Sequence, residues 1–413
     1  MLTPVSVGNK SLADYTHLAG RPLIEEIREL AKDLEGLRVL HLSATAFGGG
    51  VSEILYTLVP LMNDVGIAAE WQVMLGREEF YNATKRMHNA LQGNPDSLTE
   101  EEWAIYERYN EMNAKEIEGG WDVIIVHDPQ PAAIRRHVPE KAGTWVWRCH
   151  IDLSTPNPDA IEHIVPLVRD YDASVWHLQQ YVPADLNGTT DGVYICPPAI
   201  DPLSPKNMAF SPDDAAFVCN QFGIDVDRPL LTQVSRFDPW KDPVGVIDAY
   251  RIVIEEVPEA QLALVGSMAT DDPEGWEFFQ KTFEYADGDP DIKILNNLNN
   301  VGAIEVNAFQ SQSDVCIQKS IREGFGLTVT EALWKGRPTV AGNVGGIPLQ
   351  ITDGEDGFLV DSAEECAQRC IEILADPELG KRLGRAGKEH ARRHFLSPRL
   401  LRDWLELFHD LET

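Results

Sequence analysis

The chain has 413 residues and a 43% hydrophobic composition, too long for one ordinary domain and enough for two buried cores. Its 35 Lys and Arg face 66 Asp and Glu, a net charge of −31, and such a field repels phosphate backbones and disfavours nucleic acid as a partner. Against that acidity, cations gathered at one place carry more meaning.

In chain order, Gly36–Ser43 reads as a buried strand, followed by Gly48-Gly49-Gly50. Val51, Ile54, Leu55 and Leu58 then fall at helical spacing, and Leu61, Met62 and Val65 extend the stripe to a stop at Gly66, with a kink expected at Pro60. Apolar strands follow at Ile67–Met74, Trp121–His127, Thr144–Cys149 and Ala173–His177, with helical stretches between them. This alternation predicts a parallel α/β sheet. Prolines 197, 198, 202 and 205 forbid regular structure and predict an interdomain linker. The alternation restarts with strands at Pro229–Ser235, Gln261–Gly266, Ile292–Leu295, Asp314–Gln318 and Pro338–Ala341, helices at Val244–Val257 and Leu327–Gly336, and a mostly helical tail from Ala363 to Leu411.

The six cysteines, at 149, 196, 219, 316, 366 and 370, form no Cys-x-x-Cys pair and read as thiols of a reducing compartment. Cys366 and Cys370 lie one helical turn apart and suit a packed helix face. No basic start with an apolar core and no 18-residue apolar run occurs, so a cytoplasmic protein without signal peptide or membrane span is expected.

Two α/β domains place a ligand in the cleft between them, at the C-terminal ends of strands. Four polar groups fall at such ends: Ser43 with the glycine triplet, His127-Asp128, His150 to Asp152, and Arg236 to Lys241. The glycines open a helix whose free N–H groups favour a phosphate. A dinucleotide fingerprint is incomplete, because Glu53 stands where its last glycine belongs, although Glu70 lies at the distance of a ribose contact. The plain alternative is a tight strand–helix turn. Arg236 and Lys241 can clamp a diphosphate, or can simply pair with Asp238 or Asp242 on a surface loop. Glu323 and Glu331 flank a glycine-rich bend, where carboxylates can grip sugar hydroxyls. Thr328 and Glu331 also have the spacing of a capping box, a structural role for Glu331. His127, Asp128, His150 and Asp152 are either sugar-hydroxyl partners, a proton-handling set, or strand-end groups satisfying backbone. No metal-ligand spacing, nucleophile elbow or Walker loop appears.

At these residues the chain resembles a known family. EGFGLTVTE, with Glu323 and Glu331, and SRFDPWKD, with Arg236 and Lys241, are similar to the paired-glutamate and phosphate motifs of retaining GT-B glycosyltransferases of family 4, as are GNVGGIP (342–348) and DGEDGFLV (353–360). In the first half, SATAFGGGVSEIL, FYNATKRMHNALQG, VHDPQPAA and WRCHIDLS resemble the trehalose glycosyltransferring synthase group within that family. The same segments are similar to retaining trehalose phosphorylases. Gly266-Ser267-Met268 departs from the broader family, many members of which have a second glycine there.

The resemblance implies two Rossmann-like domains facing across a deep cleft. An acceptor-side domain would span 1–197 and a nucleotide-sugar donor domain 198–394, with a helix at about 395–413 packing back on the first. The implied reaction transfers α-glucosyl from ADP- or UDP-glucose to free glucose, reversibly and with retention, giving α,α-trehalose. Arg236 and Lys241 would hold the diphosphate, Glu331 the ribose, and Glu323 the donor sugar near its reacting carbon. Gly49, Gly50, Gly324, Phe325, Gly326 and Leu327 would complete the donor site. Ser43, His127, Asp128, His150 and Asp152 would meet the acceptor, with His150 and Asp152 nearest the transferring centre. No prosthetic group and no protein metal site are expected, Mg²⁺ being left open; partners are small sugars and nucleotides, with a homodimer also left open. The rival readings are the phosphorylase, a family 4 transferase with another acceptor, and a non-enzymic sugar-nucleotide sensor.

Overall fold

Short branched apolar runs, bounded by glycine, proline and asparagine, form the strands of two parallel sheets in a computed structural model that describes residues 2–138, 143–186, 192–268 and 273–411. The chain divides into two units, Met1–Ala199 with Ser397–Thr413, and Ile200–Leu396.

The first unit holds β1 (Thr3–Pro4), β2 (Arg38–Ser43), β3 (Ala68–Val73), β4 (Val123–His127), β5 (Thr144–Arg148), β6 (Ala173–Trp176) and β7 (Val193–Ile195). Their order is β1-β3-β2-β4-β5-β6-β7, parallel except for the edge pairing of β1 with β3. β4 and most of β5 are buried, as a sheet covered by helices on both faces requires. Trp145, Trp147 and Trp176 are among the largest side chains fully enclosed in this core. The Gly50–Asp64 helix runs unbroken with Pro60 inside it. Its only acidic first-turn residue is Glu53. The Ser397–Asp410 helix packs on the Arg21–Ala31 helix of this unit and buries Leu400, Leu401, Trp404, Leu405 and Phe408.

The second unit holds β8 (Leu230–Val234), β9 (Gln261–Val265), β10 (Ile292–Leu295), β11 (Val315–Gln318), β12 (Thr339–Gly342) and β13 (Phe358–Val360), in the order β10-β9-β8-β11-β12-β13, all parallel. The order reverses at β8 and β11, the switch point where open α/β sheets bind ligands outside their strand ends. β7 and β13 are each three residues long, too short for a periodic signal in sequence. Cys366 and Cys370 are buried thiols on one helix face.

Candidate active site

In the second unit, the loop after β8 is shaped by its own acids. Asp238 accepts hydrogen bonds from the N–H groups of Trp240 (3.0 Å) and Lys241 (3.1 Å), capping the short Pro239–Lys241 turn. Asp242, in the left-handed region at φ 48°, caps the next helix by accepting from Gly245 N–H at 3.1 Å. Its other oxygen is ion-paired with the buried Lys319. Gln233 joins the two loops: its amide donates to Lys241 O at 3.0 Å and its oxygen accepts from Lys319 N–H at 3.2 Å. Phe237 fills the space beside Gly266, where an added Cβ would sit 2.4 Å from the ring, so glycine at 266 serves packing.

The two cations fare differently. The Arg236 side chain is 60% exposed and pairs with Asp238 at 3.1 Å, the plain surface pairing that its sequence allows. Lys241 is sheltered, and its Nζ lies 2.6 Å from Glu323 Oε2. Ser320 Oγ donates to the same oxygen at 3.2 Å and accepts from Gln318 Nε2 at 3.0 Å. Residues 82 apart in sequence thus meet outside the ends of β8 and β11. Lys319 and Ser320 carry no motif of their own; their only signal in sequence is their place directly after β11.

The glycine-rich bend exists for close approach. Gly326 takes φ 84° and is the N-cap of the Leu327–Trp334 helix, which Leu327 opens. A Cβ on Gly342 would lie 2.1 Å from Ser320 O, and one on Gly346 2.7 Å from Gly324 O. Phe325 is buried edge-on to Phe395. Thr328 and Glu331 do not form the expected capping box. Because Gly326 holds the cap position, Thr328 lies inside the helix and donates its hydroxyl to Gln318 Oε1 at 3.1 Å. Glu331 is fully buried on that helix, with Lys206 Nζ 3.2 Å from Oε1. Lys335, beside it, is pulled down to about 8, chiefly by burial.

In the first unit the strand ends carry a row of histidines. His41 Nδ1 lies 3.0 Å from His127 Nε2, and His127 Nδ1 lies 2.9 Å from His150 Nε2. His177 meets His150 ring to ring at 5.4 Å. Burial holds His41 down to about 3. It also lowers His127 and His150, aided at His127 by His41 and at His150 by Arg148 and His127. Asp128, at φ 69°, accepts from His150 N–H at 2.7 Å, and burial pushes its carboxyl up to about 7. Asp152 is buried and accepts from Ser154 N–H at 2.8 Å. Ser43 is buried too, accepting from Trp71 Nε1 at 2.8 Å and donating to Thr45 O at 3.1 Å. Gly49 is the N-cap of the Gly50–Asp64 helix, and no side chain caps that end. The preceding Gly48 needs its freedom at φ 79°.

The structure therefore joins Lys241 with Glu323, and His127, Asp128 and His150 with one another. It sets Arg236 at the surface and Glu331 in the interior. Among the described residues, no cluster of three His, Cys, Asp or Glu could hold a metal ion, and no helix is long and apolar enough to cross a membrane.

Residues 41–183 match the family described as the N-terminal domain of trehalose synthase, and residues 217–390 match the glycosyl transferases group 1. The chain is 59% identical to a trehalose synthase of Rubrobacter xylanophilus over 99% of both chains. A trehalose phosphorylase of Pleurotus pulmonarius is 26% identical over 92% of this chain and 58% of its own length. Among solved structures, a sucrose-phosphate synthase from Thermosynechococcus elongatus superposes with a TM-score of 0.70 at 17% identity, covering 91% of this chain and 98% of that one; at this distance the likeness concerns the fold, which is of the GT-B type.

Proposed function

We propose that this chain, which belongs to the trehalose synthase family of glycosyltransferases, moves an α-glucosyl group from ADP- or UDP-glucose to free glucose with retention, forming α,α-trehalose. The observation that carries the donor assignment is the Lys241–Glu323 contact at 2.6 Å outside the ends of β8 and β11.

In this reading Lys241 turns from Glu323 to the incoming diphosphate and Arg236, exposed beside it, closes on the same group. Both neutralise the charge that grows on the leaving phosphate, worth most where charge develops in the transition state. Glu323, released from Lys241, accepts hydrogen bonds from donor sugar hydroxyls near the anomeric carbon. Glu331 meets the ribose in exchange for Lys206. Backbone N–H groups of Gly49, Gly50 and Gly324 to Leu327 complete the donor contacts. His150, Asp152 and Asp128 orient the acceptor, with Ser43 and His127 behind them.

The bond between the anomeric carbon and the phosphate oxygen breaks, and the acceptor hydroxyl oxygen bonds to that carbon on the same face. The hydroxyl proton passes to the departing phosphate. No carboxylate is assigned as a covalent nucleophile, the other route to retention. Mg²⁺ needs no protein site in this scheme.

The likeness to trehalose phosphorylases makes inorganic phosphate the alternative partner. Trehalose is supplied with either NDP or phosphate, and the sugar product is identified. The proposal expects NDP-glucose with NDP and no cleavage with phosphate alone. Glucose 1-phosphate formed from phosphate would replace it with the phosphorylase reading.

A further inference from the structure

The histidines of the first unit form a staircase set by sheet register. His41 is opposite Ile125 on β4, so His127 lies two residues further along. His127 is opposite Arg148 on β5, and His150 again lies two further. Arg148 is opposite Val175 on β6, and His177 repeats the step. Side chains two apart on a strand share a face; His41 and His127 lie on β2 and β4, and His150 and His177 follow just past the ends of β5 and β6, each ring beside the next.

Hydrogen-bond bookkeeping orders the first three rings. Their depressed proton affinity keeps them neutral, and a neutral imidazole has one N–H and one acceptor nitrogen. His41 Nδ1 faces His127 Nε2, and His127 Nδ1 faces His150 Nε2, so only two arrangements satisfy both contacts. Either all three rings carry the proton on Nδ1, or all three carry it on Nε2. The second arrangement leaves His41 Nε2–H buried, and His41 Nε2 has no hydrogen-bond partner among the described residues. An orphaned buried N–H is rare and costly. The Trp404 ring lies beside His41 with the two ring planes near perpendicular and the centroids 6.2 Å apart. The first arrangement leaves only a bare lone pair there.

We propose that His41 and His127 are positioning residues that lock His150 in its Nδ1–H tautomer, making His150 a fixed hydrogen-bond donor to the acceptor sugar and denying it the role of base. For His150 to take a proton on Nδ1, the whole row would have to reverse and strand the His41 N–H. This rests on the reading above that His150 faces the acceptor, and it agrees with the proton leaving on the phosphate. His150 ends the hydrogen-bonded run and is half-buried, while His41, His127 and the neighbouring His177 are enclosed.

The test uses the full chain labelled with ¹⁵N at histidine, and two variants at His41. Asn places an amide donor where Nδ1–H was; Leu has no donor and suits a buried apolar site. Long-range ¹H–¹⁵N spectra of the wild type should show His41, His127 and His150 all protonated at Nδ1. His41→Leu should free His150 to sample both tautomers and lower kcat/KM for the acceptor about fivefold, the loss of one hydrogen bond, with donor KM unchanged. His41→Asn should restore the wild-type tautomer and activity to within about twofold. A His150 protonated at Nε2 in the wild type, or Leu and Asn variants that behave alike, overturns the proposal. The spectra need no substrate, so they decide the tautomer even where an assay for trehalose fails.

Discussion

At the level of single residues, Lys241 and Glu323 hold each other in place. Neither is replaceable by shape alone, since one must be a cation and the other an acceptor. Lys241→Ala and Glu323→Gln are each expected to cut turnover more than about tenfold, a loss of about 1.4 kcal/mol. Because they touch at 2.6 Å, the double variant should lose less than the sum of the two, and a kinetic double-mutant cycle checks this. Asp128 gives a second prediction through pH. Its carboxyl, raised to about 7 by burial, stays protonated in the fold after the unfolded chain has lost its proton. The stability it brings is therefore present below the ordinary Asp range and is lost as pH rises to 7. The buried histidines act with the opposite sign, since the unfolded chain gains protons below about 6.5 that the fold refuses. Asp128→Asn keeps the acceptor for His150 N–H and tolerates positive φ. Relative to wild type, its melting temperature should be higher at pH 8 than at pH 5.

At the scale of elements, the proposed donor site is two loops that glycine allows to come close. Gly342 ends β12 under the Ser320 carbonyl, and Gly346 lies against Gly324 and Phe325. Gly342→Ala forces a Cβ to 2.1 Å from Ser320 O, so the loop that carries Glu323 must move. A cost of about 1–3 kcal/mol is expected, seen as a lower denaturation midpoint together with a raised donor KM. The elements themselves were largely legible, because buried parallel strands are unbroken apolar runs with turn residues at each end. What misled was the start of the Leu327–Trp334 helix. Thr328 and Glu331 have capping-box spacing, yet Gly326 can take φ 84° and claims the cap first. Local spacing cannot reveal which of two good caps the tertiary loop selects.

At the scale of the molecule, the C-terminal tail is part of the first unit's fold. Trp404, with 2% of its surface exposed, sits between His41 and Phe408. Trp404→Ala should destabilise that unit by about 3–5 kcal/mol, measurable as an earlier denaturation transition. The pattern of two strand–helix series split by a proline-rich stretch was visible in the chain, as were Lys241, Glu323 and His150 in their motifs. The histidine staircase was not, because it exists only once the register of β2, β4 and β5 is known. Nor were Lys319, which gains its meaning from Asp242 77 residues away, and Ser320, an ordinary residue that donates to Glu323 three positions on.

Glucosyl transfer with retention can be followed through one labelled carbon. NDP-glucose carrying ¹³C at the anomeric position is mixed with unlabelled glucose and the purified protein, and the product is read by NMR. One trehalose is expected with the label in an α-linked anomeric carbon, joined to an unlabelled one, and one NDP released per molecule. Label recovered in a β-linkage, or in free glucose with no disaccharide formed, would contradict it.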